Sequence, residues 1–170
     1  MPIELVPVRL EDRPVLANLM QLYLYDFSEF AGWTINEHGL YDYRYLDHYW
    51  TDPGRHPFFV RADGELAGFA LVSTVEAVTT DAPEHHMAEF FIMRKFRRTG
   101  VGETAARTLF GQFPGPWSVS QMQWNDAAQR FWRTVIARYT QGAYTERHDE
   151  RGRLIQEFVS EGAPPASGTA

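Results

Sequence analysis

Apolar residues recur along this chain with two periods, and the switches between them divide it into elements. Part of Ile3–Leu10 alternates apolar and β-branched residues with polar ones and predicts a first strand. Asp12 followed by Pro14 marks a helix start. Val15, Leu16, Leu19, Leu22, Tyr23 and Phe27 then recur at helical spacing, predicting an amphipathic helix to about Glu29 that Gly32 breaks. Next comes a stretch dense in rings (Tyr41, Tyr43, Tyr45, Tyr49 and Trp50), which predicts a short helix over Tyr43–Trp50 stopped by Asp52-Pro53-Gly54. Pro57–Ala62 and Leu66–Ala77 read as strands joined at the hairpin dipeptide Asp63-Gly64. Asp81–His86 reads as a loop, Met87–Met93 as a strand, Gly100–Phe110 as a helix and Trp117–Met122 as a strand entered through Pro114-Gly115-Pro116. From Asp126 a helix carries Ala128, Phe131, Trp132, Val135, Ile136 and Tyr139 on one face. Strands over Gly142–Asp149 and Arg153–Val159 flank a turn at Arg151-Gly152.

This succession predicts a mixed α/β (α+β) three-layer sandwich. The strands on either side of the Gly100 helix should run parallel, because a helical crossover joins them. Residues 1–160 are expected to form one domain. The last ten, which are Ser, Gly, Ala, Pro and Thr apart from Glu161, are expected to form a disordered tail.

Composition narrows the function mainly by exclusion. The chain has no cysteine, which removes disulfides, thiolate metal sites and a cysteine nucleophile. With 22 acidic against 16 basic side chains, its net charge of −6 speaks against a nucleic-acid partner and favours a cationic one. No apolar run is long enough to span a membrane, and Met1-Pro2-Ile3-Glu4 has neither the basic start nor the apolar core of a secretory signal. The cytoplasm is therefore the expected location.

Chemistry concentrates in Glu89-Phe-Phe-Ile-Met-Arg-Lys-Phe-Arg-Arg-Thr-Gly-Val-Gly102, which reads as a strand, a basic turn and glycines opening a helix. The first amides of a helix lack intrahelical acceptors, and the helix dipole adds to their attraction for phosphate. Gly100 and Gly102 permit close approach and conformations that other residues resist. Neither the Walker pattern nor the three-glycine dinucleotide pattern is present. On spacing alone the turn is equally a basic surface turn before an ordinary helix.

Arg97-Arg98-Thr99-Gly100-Val101-Gly102 resembles the acetyl-CoA signature of the GNAT superfamily of N-acetyltransferases, Gln/Arg-x-x-Gly-x-Gly/Ala. Asn125, Ala128, Phe131 and Trp132 resemble that family's Asn-x-x-Ala-x-x-Phe-Tyr run on its fourth helix. The resemblance implies a mostly antiparallel sheet of six or seven strands whose parallel fourth and fifth strands splay apart. It implies acetyl-CoA as cosubstrate and no metal. The pantetheine arm would pair along Phe91, Ile92 and Met93, and an amide at Ile92 or Met93 would polarise the thioester carbonyl. The amides of Arg98, Thr99, Gly100, Val101 and Gly102, with Arg97 leading in, would hold the pyrophosphate. Asn125 would touch the cofactor or fix the wedge between strands, or simply cap its helix. The expected partners are an amine acceptor, as a cationic small molecule or a peptide, with a homodimer left open, and no nucleic acid or membrane.

Transfer to an amine needs a base. Glu89 is the first candidate, since a partly buried carboxylate on this strand could have a suitably raised pKa. His85 and His86 are further candidates, though an exposed loop pair is the plainer reading of both. Family members often use a Tyr on the fourth helix to protonate the departing thiolate. Trp132 stands there instead, and an indole donates hydrogen bonds without acting as a general acid. Tyr139 is a substitute acid or a packing residue. The rings of Tyr41–Trp50 fall where relatives line the acceptor site, or equally are ordinary packing of a short helix; Asp42, Asp47 and Asp52 would suit a cation there, or form a solvated face. An acyl-CoA-binding module without turnover is the alternative to an enzyme.

Overall fold

The computed structural model describes residues 1–76 and 82–163. Strands β1 (Ile3–Pro7), β2 (Arg55–Ala62), β3 (Glu65–Val75), β4 (Glu84–Ile92), β5 (Gly115–Gln121), β6 (Thr145–His148) and β7 (Leu154–Ser160) form one seven-stranded sheet in the order β1-β2-β3-β4-β5-β7-β6. Among the described residues four α-helices punctuate them: α1 (Arg13–Ala31), α2 (His48–Thr51), α3 (Val101–Gln112) and α4 (Asp126–Thr140). The pairs β1–β2, β2–β3, β5–β7 and β6–β7 are antiparallel, and β4–β5 is parallel as a helical crossover requires. The β4–β5 register runs over His85–Trp117, His86–Ser118 and Met87–Val119.

The backbone divides into two compact units. One comprises Met1–Ser73 with Ala88–Val101, the other Thr74–Met87 with Gly102–Ala170. In the first, Leu16, Leu19, Met20 and Leu24 of α1 form a core with Phe59, Phe69, Leu71 and Phe91 of the strands. Asp63 and Gly64 both have positive φ, the conformation a two-residue hairpin turn demands. Ala67 falls out of register between Leu66 and Gly68, giving β3 an irregularity opposite Val60–Arg61. In the second, Phe110 packs edge-on against Trp117 and Phe158 at ring-centroid distances of 5.0 and 4.8 Å.

Several boundaries differ from the sequence reading. The predicted Tyr43–Trp50 helix contracts to α2 at His48–Thr51, because the chain before it is drawn out in turns that place Tyr43 elsewhere. Strand β4 begins at Glu84, so His85 and His86 lie on a strand and not in an exposed loop. Ala77, Asp81 and the last seven residues of the expected tail lie outside the described residues. Within that tail, the Ala163 amide donates to the Gly111 carbonyl (2.9 Å). No helix among the described residues is long and apolar enough to cross a membrane.

Candidate active site

Helix α1 and strand β4 meet at Glu89. The Tyr23 hydroxyl, on the sheet-facing side of α1, donates to Glu89 Oε2. The Tyr43 hydroxyl, from the connection between α1 and α2, donates to Oε1 at 3.2 Å. Rings close the surroundings, since Tyr23 meets Phe27, Phe69 and Phe91 with centroids 4.7, 5.6 and 5.7 Å away. Burial pushes the Glu89 carboxyl above its usual range, and the two phenol hydrogen bonds pull it part of the way back. Burial and then the Glu89 charge push both phenols well above their usual range, so Tyr23 and Tyr43 stay protonated donors.

Beyond Glu89, β4 runs into the basic turn. Phe91 and Ile92 are buried. The Met93 amide donates to the Ala67 carbonyl (2.8 Å), so of the two amides considered for the thioester carbonyl Met93 is already occupied. Arg97 does not stand free as a phosphate cation. Its Nε donates to the Ile92 carbonyl (2.7 Å), its Nη2 pairs with Asp26 Oδ2, and its guanidinium lies 5.6 Å from the Phe91 ring centroid. Arg94 also pairs with Asp26 (2.6 Å), and Lys95 with Glu65. Among the described residues, Arg98 is the member of this basic group with no ion pair.

The turn itself suits an anion. Arg98 and Gly100 have φ of 63° and 88°, and the Thr99 hydroxyl anchors to the Phe96 carbonyl (2.6 Å). Val101, fully buried, and Gly102 then open α3, whose first amides have no intrahelical acceptors. Nothing lies within 4 Å of where a Gly100 Cβ would stand, so the space over the turn is open. This backbone fits a pyrophosphate. Asn125 caps α4, its Oδ1 accepting the Ala128 amide (3.1 Å), which is the capping role read from the sequence.

The other candidates each have partners of their own. His85 is buried, with Nδ1 on the Thr74 hydroxyl (2.9 Å) and Nε2 donating to the Pro114 carbonyl (3.0 Å). His86 Nδ1 bonds Ser118 Oγ, and burial holds its imidazole below the usual range against the pull of Glu84. Trp132 is buried with its ring 6.2 Å from that of Phe110. The Tyr139 hydroxyl pairs with Ser160 Oγ (2.7 Å) while its ring packs on Phe110. Asp47 pairs with Arg13, Asp52 with His48 (3.0 Å), and Asp42 accepts from Asn36 (2.9 Å), so each acid of the ring-rich stretch already has a partner. The sequence reading assigned Tyr23 only to the apolar face of α1. Nothing local marked it as the partner of an acid 66 residues away.

The family model described as acetyltransferase (GNAT) family matches residues 17–135. An acetyltransferase from Thermus thermophilus is similar at 16% identity and TM-score 0.69, over 94% of this chain and 97% of that one. A GNAT-family acetyltransferase from Streptococcus agalactiae is similar at 12% identity and TM-score 0.68, over 94% and 96%. An aminoglycoside acetyltransferase from an uncultured soil metagenomic sample, in complex with sisomicin, is similar at 17% identity and TM-score 0.59, over 78% and 86%. At these identities the likeness is one of fold. No curated protein matches the chain.

Proposed function

Because the chain belongs to the acetyltransferase (GNAT) family, we propose that it moves an acetyl group from acetyl-CoA to an amine of a small molecule or a peptide, with Glu89 taking the amine's proton. The observation that carries this reading is the Glu89 carboxylate, half-buried on β4 with both oxygens held by phenols. Burial raises its proton affinity toward the range a base needs near neutral pH. The phenols fix its direction and keep it an acceptor. Acetyl-CoA supplies the activated acetyl thioester. The backbone of Arg98–Gly102 would hold its pyrophosphate, and Phe91–Ile92 would lie along its pantetheine arm.

Trp132 supports a second reading. It stands where family members often use a Tyr as the acid, and it is committed to the core beside Phe110. A chain that keeps the cofactor turn and lacks that acid could bind acyl-CoA without turnover.

One experiment separates the two. The protein is given acetyl-CoA and a panel of amines, aminoglycosides included because of the structural likeness above, and free thiol is followed. Thiol release that falls about 10²- to 10⁴-fold in Glu89→Gln, with acetyl-CoA binding kept, is the expected result. At about a hundred times its dissociation constant, acetyl-CoA should stabilise both proteins by roughly 2.7 kcal/mol. Stabilisation without thiol release from any amine would favour the binding module. An active Glu89→Gln protein with an unaltered pH–rate profile would remove Glu89 as the base.

A further inference from the structure

Gln21 lies on α1, two residues before Tyr23, and does not touch Glu89. Its side-chain amide instead clasps one residue of the connection between α1 and α2. Gln21 Nε2 donates to the Tyr41 carbonyl (2.9 Å), and Gln21 Oε1 accepts the Tyr41 amide (2.8 Å). A side chain thus offers this residue both bonds that a neighbouring strand would otherwise supply. Before Tyr41 the connection is held mainly by itself. The Asn36 amide donates to the Leu40 carbonyl (2.8 Å), and Asn36 Oδ1 accepts the amides of His38 (2.9 Å) and Leu40 (3.1 Å). Such a self-contained turn needs an external tie to keep its position, and Gln21 provides one at its end. Two residues beyond that tie, the Tyr43 hydroxyl reaches Glu89.

We propose that Gln21 is a positioning residue for Glu89: by clasping the Tyr41 main chain it fixes the Tyr43 hydroxyl on the carboxylate. Helix α1 then serves both oxygens, one directly through Tyr23 and the other through this clasp. The catalytic meaning of the inference rests on the reading of Glu89 as the base; the clasp itself does not. The titratable groups around Glu89 are Tyr23 of α1, Tyr43 of the connection and Tyr49 of α2, with Arg55 of β2 acting on Tyr43 and Tyr49. Of these, only Tyr23 and Tyr43 donate to the carboxylate, and each such bond favours its ionised form. Without the clasp, the freed connection would hold the Tyr43 hydroxyl in place less of the time, and Glu89 would bind its proton more tightly.

The test is a carbon-13 NMR titration of the Glu89 carboxyl in the full chain without ligands. The signal is assigned by its loss in Glu89→Gln, and Gln21→Ala, Tyr43→Phe and the double variant are compared. Each single change should move the Glu89 midpoint to higher pH. At a fixed acidic pH the ratio of carboxylate to acid should fall roughly tenfold for Tyr43→Phe, the loss of one hydrogen bond to a charged group, and by no more than that for Gln21→Ala. The double variant should match Tyr43→Phe alone, because Gln21 acts through Tyr43. Should Gln21→Ala fail to fold, Gln21→Met keeps the length, loses both bonds and makes the same comparison. A midpoint unmoved by the Gln21 change, or shifts that add in the double variant, would overturn the proposal. The readout needs no turnover, so failure here is distinct from failure of the acetyl-transfer reading, which thiol release by the unaltered protein decides.

Discussion

Gly68 of β3 lies against the backbone at the end of β4, and Gly68→Ala tests that close approach. A methyl there would lie 2.0 Å from the Phe91 carbonyl oxygen, 3.0 Å from its carbonyl carbon and 3.1 Å from Ile92 Cα. All three are backbone atoms, so no rotamer change relieves the clash. Restoring ordinary contact from 2.0 Å requires the strands to part by about 1 Å or more. That movement strains the 2.8 Å bond from the Met93 amide to the Ala67 carbonyl, next to Gly68 in sequence. Overpacking of this kind costs about 1–3 kcal/mol, and loss of the hydrogen bond adds about 0.5–1.5 kcal/mol. Alanine's smaller freedom in the unfolded chain returns about 0.4–1 kcal/mol. The net is a loss of roughly 2 kcal/mol, or about 4–8 °C in melting temperature for a chain of this length. Because Phe91 and Ile92 are the atoms displaced, acetyl-CoA binding should weaken even well below the melting temperature. Thermal unfolding of Gly68→Ala with and without acetyl-CoA measures both effects. A variant that melts within a degree of the unaltered protein would refute the close approach and everything drawn from it about the end of β4.

What the sequence disclosed, and what it hid, follows the distance over which each signal acts. The turn at Arg98–Gly102, the Asn125 cap and the Asp63-Gly64 hairpin were all legible, because each is decided by a few neighbouring residues. The order of strands and helices was legible for the same reason. The start of β4 was not. His85 and Met87 are both buried while the residues between and after them are more exposed, an alternation that shows only if a histidine is allowed inside. Its two ring nitrogens are satisfied by Thr74 and Pro114, neither of them a sequence neighbour. The pairing of Arg94 and Arg97 was likewise hidden, since the acid that binds them, Asp26, lies about seventy positions away on α1. Glu89 was singled out by its place on the strand before the turn. Its phenol partners could not be, because helical spacing explains Tyr23 as core and ring density explains Tyr43 as packing.

The remaining predictions concern backbone strain and pH. Gly100 has φ of 88° with open space around its Cβ position, so Gly100→Ala should cost about 1–2 kcal/mol through conformation alone. Gly100→Asn should cost less, and equal stabilities in urea unfolding would refute this account. Glu89 and Asp26 should make the stability of the fold depend on pH in opposite directions. For Glu89, burial outweighs the two phenol bonds and its folded pKa lies above the ordinary carboxylate value. Between those two values the folded chain binds more protons than the unfolded one, so stability falls as pH rises through that window and is level above it. For Asp26, burial is outweighed by the hydrogen bonds from Arg97 and Arg94, and its folded pKa lies below the ordinary value. Its contribution is present above the ordinary value and is lost as pH falls through the folded one. Urea unfolding across the acid range should therefore show the unaltered protein losing ground to Glu89→Gln as pH rises from about 4, and losing its advantage over Asp26→Asn as pH falls below about 4. A flat difference for Glu89→Gln would mean that the phenol bonds offset the burial in full. The raised proton affinity on which its role as a base depends would then be absent, whatever the activity of the variant.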